Sequence, residues 1–166
     1  KGGEYVMDAA NVALLRGDGK VLEDSMSHWE RHAILPNGYI RKTIVAACNV
    51  DNAEELGRIY RSHPIASQYG VEIIHYRNSD EDNAAALDRY KKNLSRITIS
   101  VDSFTRGFDA RESSLLMLYR PTRSIMLAFQ LFGRVVRKFV IDGVPLDAVI
   151  VDMTGLVFPS EDIGLP

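Results

Sequence analysis

The sequence predicts an α/β fold: a mostly parallel central sheet flanked by helices, with further helices at the N-terminal end. Three observations carry this reading. Short runs rich in Val, Ile and Leu, among them Thr43–Cys48, Ile97–Val101, Leu115–Tyr119 and Leu146–Asp152, have the length and composition of buried strands. Stretches with helix-start signals separate several of these runs, and strands alternating with helices at short spacing build parallel sheets. The 166 residues suffice for one domain with a sizeable core.

The elements follow in order. Tyr5–Leu15 and Val21–Ile34 read as two helices separated by Arg16-Gly17-Asp18-Gly19. Residues 1–35 form a helical lead-in and residues 36–166 the main body of a single domain. Pro36-Asn37-Gly38 marks a turn before the Thr43–Cys48 strand. Asn49–Leu56 reads as a helix start, with Asp51 as N-cap and Glu54 three residues later. Gly70–Tyr76 is a further short strand. Ser79, followed by Asp80, Glu81 and Asp82, opens a helix to about Asn93, where acids suit the positive helix end. His28 and His32, one helical turn apart, could bind a metal. No third ligand is evident, so a surface pair and no metal site are expected.

Composition sets limits. No apolar run approaches the roughly 18 residues of a membrane span, so no membrane partner is expected. The single cysteine, Cys48, cannot form an internal disulfide, and a reducing, cytoplasmic setting is the simplest fit. Formal net charge is −2, yet seven Lys/Arg stand against two Asp/Glu between Arg106 and Lys138. An acidic remainder argues against broad coating of nucleic acid, whereas a local basic surface is compatible with gripping phosphates.

That basic region holds two polar constellations. The first follows the Ile97–Val101 strand: Asp102, Ser103, Thr105, Gly107 and Asp109, a loop where ligands sit in open parallel sheets. The second is Gln130-x-x-Gly133-Arg134-x-x-Arg137, on a helix expected after the turn Pro121-Thr122-Arg123-Ser124. At roughly 100° per residue, Gln130, Arg134 and Arg137 fall within about 60° of one another. Two guanidiniums and an amide on an otherwise apolar helix require an anionic partner.

VDSFTRGFDA resembles motif V, and QLFGRVVR motif VI, of superfamily 2 helicases and translocases. The context LMLYRPTRSIMLAFQLFGRVVR is similar to the branch of DNA-repair helicases and type I and III restriction motors, over about Tyr5–Val157. The strand before Asn49 resembles motif IV. The resemblance implies the second of two RecA-like lobes. Arg134 would be the arginine finger, Arg137 its neighbour on the γ-phosphate, and Gln130 the coupling to the opposite lobe or attacking water. Gly107 and Asp109 would contact ATP, and Ser103, Thr105 and Asn49 the nucleic-acid backbone. DNA is the expected strand and RNA the alternative. Val101 departs from a threonine common in relatives, and Arg111 from a proline.

Gly19-Lys20-Val21 is no phosphate loop, and neither G-x-x-x-x-G-K-[ST] nor D-E-x-[DH] occurs anywhere. ATP and Mg2+ would therefore be held mainly by a first lobe, by the resemblance a partner in the same native polypeptide, and this chain alone would be inactive. The start at Lys1 is compatible with an excised fragment. The rival reading is a non-catalytic RecA-like module that binds nucleic acid or protein without an ATP cycle.

Overall fold

Strand β1 (Lys42–Ala46) is buried at every residue, as the β-branched run Thr43-Ile44-Val45 implies. The computed structural model describes residues 19–101, 113–119, 139–141 and 143–153. Within them β1 pairs in parallel with β3 (Ile97–Ser100) on one side and β4 (Ser113–Leu118) on the other. β2 (Val71–Ile74) extends the sheet beyond β3, and β7 (Val149–Asp152) beyond β4. The order is β2-β3-β1-β4-β7, parallel throughout. A separate antiparallel ribbon joins β5 (Phe139–Ile141) to β6 (Val144–Leu146).

Pleating sends alternate residues to opposite faces, and each face has its own core. Val45, Ile97, Ile99, Leu115 and Met117 pack with Trp29 of α1 (Gly19–Ala33) and with Leu56 and Tyr60 of α2 (Val50–Ser62). Ile44, Ile74, Leu116 and Leu118 pack with Ala86 and Tyr90 of α3 (Asp80–Lys91). The chain moves outward from β1 to β2 and back from β2 to β3. Right-handed crossovers then require α2 and α3 on opposite faces, and the two cores lie that way.

Buried polar groups in β1 find partners in the helices. The Trp29 indole donates to Thr43 Oγ1 at 3.1 Å, tying α1 to the central strand. Lys42, only 1% exposed, donates from Nζ to the Tyr90 carbonyl at 2.8 Å and lies 4.3 Å from that ring's centroid. The Tyr119 hydroxyl bonds Ser25 Oγ of α1, and burial pushes the Tyr119 phenol up, so it stays neutral.

Strand boundaries fall within about two residues of expectation. The expected Leu146–Asp152 strand divides, with Leu146 closing β6 and Val149 opening β7. Helix α3 starts as expected, with Ser79 Oγ accepting from Asp82 N at 3.0 Å. The cap of α2 is corrected: Asn49, not Asp51, is the N-cap, and its Oδ1 accepts from Asn52 N at 2.8 Å. β1 ends at Ala46 and the helix opens at Val50, so by Asp51 the chain is already helical. His28 and His32 are half-buried rather than fully at the surface. Burial, then the neighbouring His28, lowers the His32 pKa. The expected helices Tyr5–Leu15 and the one following Ser124 lie outside the described residues.

Gly70 separates two effects on stability. Its φ is +73°, and a Cβ there would lie 2.9 Å from Ser95 Cβ and 3.0 Å from Ser95 Cα. Gly38, at φ +85°, has open space around it. Gly70→Ala is expected to lower stability by about 2–3 kcal/mol and Gly38→Ala by about 1 kcal/mol, read from urea melts.

The Glu72–Arg89 pair gives a pH signature. Arg89 grips the carboxylate with bonds of 2.8 and 2.7 Å. Burial pushes Glu72 up, but the Arg89 fork outweighs it and holds the carboxyl below its usual range. A depressed carboxyl contributes stability above its unfolded pKa and loses it as pH falls through the folded value. Arg89 is half-exposed, so solvent screens the pair. Glu72→Gln is expected to cost at most about 1 kcal/mol near pH 7. Melts of the two proteins should converge as pH falls below about 4.

Candidate functional site

A parallel sheet sends every strand's carboxyl end to one edge, and register defines that edge here. Ile74, Ser100, Ala46, Leu118 and Asp152 form one row across the five strands. Backbone bonds carry the row one residue further: Val101 N to Ile74 O at 3.2 Å, Ala47 N to Ser100 O at 3.0 Å and Tyr119 N to Ala46 O at 2.9 Å. Ligands in such sheets bind outside this edge.

Asn49 stands two residues beyond Ala47 and is exposed. Its extended backbone (φ −155°, ψ 177°) turns the chain from β1 into α2, and its carbonyl accepts from Ala53 N at 2.9 Å. With Oδ1 engaged as the cap, the amide Nδ2 is the group that can donate to a phosphate. The other residues singled out from sequence, Ser103, Thr105, Gly107, Asp109, Gln130, Arg134 and Arg137, lie outside the described residues. Val101, the last described residue of its segment, ends at the same edge, and so does Tyr119, the last before Arg120.

Sequence reasoning missed two polar groups here. Asn52 is 7% exposed; its Oδ1 accepts from Cys48 N at 3.2 Å, while Nδ2 has no partner among the described residues. Ser100 is 1% exposed, shares the row of Ala46 and Ile74, and its Oγ has no partner among the described residues. An unpaired buried polar group costs about 1–3 kcal/mol, so a ligand atom that reached either would recover that energy. Thr98 and Ser114 hydroxyls also have no partner among the described residues, but they sit further from the edge. The signal available in sequence was the Asn49-x-x-Asn52 spacing and a serine ending a β-branched strand.

His75 follows β2 at this edge. It is 3% exposed, and its Nε2 lies 2.6 Å from Glu54 Oε1 on α2. It is thus bonded to a carboxylate across two elements. Among the described residues, no group of three His, Cys, Asp or Glu side chains could hold a metal ion. Among them, too, no helix is long and apolar enough to cross a membrane.

A five-stranded parallel sheet with helices on both faces and a polar carboxyl edge defines a RecA-like α/β lobe. Residues 30–139 match the helicase conserved C-terminal domain, and the chain belongs to that family. The fold is similar to the C-terminal part of the Fun30 ATPase domain, with TM-score 0.60 and 11% identity over 83% of this chain and 41% of that one. It is similar to the C-terminal domain of S. cerevisiae Dbp5 bound to Gle1 and IP6, with TM-score 0.58 and 16% identity over 80% and 71%. It is also similar to domain 2 of the DEAD-box helicase Mss116p bound to an RNA duplex, with TM-score 0.56 and 16% identity over 85% and 50%. These neighbours span several helicase branches and single out none. The chain spans half or less of the Mss116p and Fun30 chains. No curated protein matches it.

The cap made by Asn49 can be tested apart from any contact of its amide with a strand. Aspartate caps as well as asparagine, so Asn49→Asp is expected to leave the melting temperature unchanged, whereas Asn49→Ala should cost about 1 kcal/mol. Asn49→Asp removes the amide donor and adds a negative charge. If Asn49 donates to a phosphate, strand binding measured by anisotropy should weaken in Asn49→Asp despite its intact stability.

Proposed function

We propose that this chain is the second motor lobe of an ATP-dependent superfamily 2 helicase or translocase acting on DNA, of the DNA-repair and type I and III restriction branch. The observation that carries the reading is the order of the VDSFTRGFDA and QLFGRVVR segments within a chain that belongs to the helicase C-terminal family. The preference for DNA and for this branch rests on the sequence context around those segments. A neighbour bound to an RNA duplex keeps RNA as the alternative.

In this reading Arg134 and Arg137 reach toward the phosphates of a nucleotide held by a first lobe, and Gln130 couples the two lobes. Gly107 and Asp109 lie against the nucleotide, and Ser103, Thr105 and Asn49 grip strand phosphates. Two guanidiniums and an amide offer donors to anionic oxygens. The sequence holds neither G-x-x-x-x-G-K-[ST] nor D-E-x-[DH], so Mg2+ would rest mainly on the first lobe. Bound ATP supplies the free energy for lobe closure. This chain's part is to neutralise phosphate charge with its guanidiniums and to hold the strand through phosphate contacts, which carry no base sequence.

The test is ATP turnover in a protein with both lobes. Arg134→Ala is expected to lower the rate by about 10³-fold or more. Intact turnover in that variant would sink the arginine assignment. If a folded first lobe gains no activity on addition of this folded chain at any ratio, the non-catalytic binding module becomes the better account.

A further inference from the structure

We infer that Tyr76, with Arg77 beside it, forms a platform that stacks one unpaired nucleobase and gives this lobe a preference for single-stranded over duplex nucleic acid. The inference rests on the strand-binding part of the proposed function.

Tyr76 is 74% exposed, although it directly follows the buried His75 at the carboxyl end of the edge strand β2. Solvent exposure of a whole aromatic ring gives up about the burial energy of a core side chain, so the fold gains nothing from it there. The backbone beneath it is nonetheless firmly built. The His75 carbonyl accepts from Asn78 N at 3.1 Å and from Asn83 Nδ2 at 2.9 Å. Asn78 Nδ2 reaches back to the Ile73 carbonyl at 3.0 Å, and the His75 ring is held by Glu54. A ring presented on a braced turn loses little conformational entropy when a flat ligand lies on it.

Arg77 completes the surface. Its guanidinium is 5.9 Å from the Tyr76 ring centroid, and Nη1 bonds Asp51 Oδ1 at 3.2 Å. Both partners in that bond are more than half exposed, so the tether orients the guanidinium without locking it. Tyrosine and arginine planes are the two surfaces on which unpaired bases stack irrespective of sequence.

Position and charge select the occupant. β2 neighbours β3, and β1 lies one strand further in. Adjacent strands are about 4.8 Å apart, so a strand running outward past Asn49 and the end of β3 meets Tyr76 next. Asp80, Glu81 and Asp82, all exposed, open the helix just after it. These carboxylates repel phosphates, so what reaches Tyr76 must be the neutral part of a nucleotide, its base. A duplex cannot offer a base face without unpairing, and its second backbone would meet the same carboxylates. A basic peptide is the other ligand such a surface could accept.

The experiment uses this chain with an oligo-dT strand carrying one 2-aminopurine, a duplex of matched length, and an Arg-rich peptide. Stacking on Tyr76 should quench 2-aminopurine in the wild type. Tyr76→Ala should lose the quench and bind the single strand about tenfold more weakly, with the salt slope unchanged because no phosphate contact is removed. Duplex binding should not change, and Tyr76→Phe should behave as wild type. Equal melting temperatures for the variants would verify folding. Wild-type strand binding that Tyr76→Ala leaves intact would overturn the platform and spare the strand-binding reading. No strand binding by the wild type would overturn both. A loss in Tyr76→Ala confined to the Arg-rich peptide would overturn the base in favour of a protein partner.

Discussion

Burial of β1 from both sides is the constraint on which the rest of this lobe depends. A strand whose every residue is covered needs helices on both faces, and parallel neighbours need crossovers that supply them. α1 and α2 cover one face and α3 the other. With both faces closed, the sheet's edges are where its backbone ends meet solvent. All five carboxyl ends share one of them, so the chain's polar loops gather there without any further device.

That edge also shows how local polar choices serve both fold and ligand. Asn49 turns the chain and caps α2 with one oxygen while leaving its amide for use. Asn52 and Ser100 are buried with polar atoms that have no partner among the described residues, an arrangement that costs stability unless a ligand or another group pairs with them. Both stand at the carboxyl edge of the sheet, where a ligand atom could pair with them.

Much of the sheet was legible in the sequence because its strands are short, β-branched and buried on both faces, a pattern that few other elements share. Thr43–Val45 and Ile97–Ile99 are of this kind. The α2 cap was misread because two Asx residues stand two apart, and the Asp51–Glu54 spacing imitates a capping box. What decides between them is where β1 releases the backbone, a non-local fact. The His75–Glu54 bond, the Lys42–Tyr90 contact and the unpaired Ser100 hydroxyl likewise join residues far apart in the chain, and no local pattern announces them. The candidate site was legible as motifs in order, but of its residues Asn49 alone falls within the described structure.

The strand order has a consequence for how the chain is made. Among the described strands of the sheet β1 comes first in the chain and occupies the centre, yet both its neighbours come later. Emerging from a ribosome, it must wait for β2, α3 and β3 before one side is paired, and for β4 before the other is. Until residue 118 has been added, the central strand keeps an open edge. Such late, long-range pairing slows folding and exposes the nascent chain to association. Lys42 at the start of β1 places a charge on that waiting edge, which makes it less adhesive.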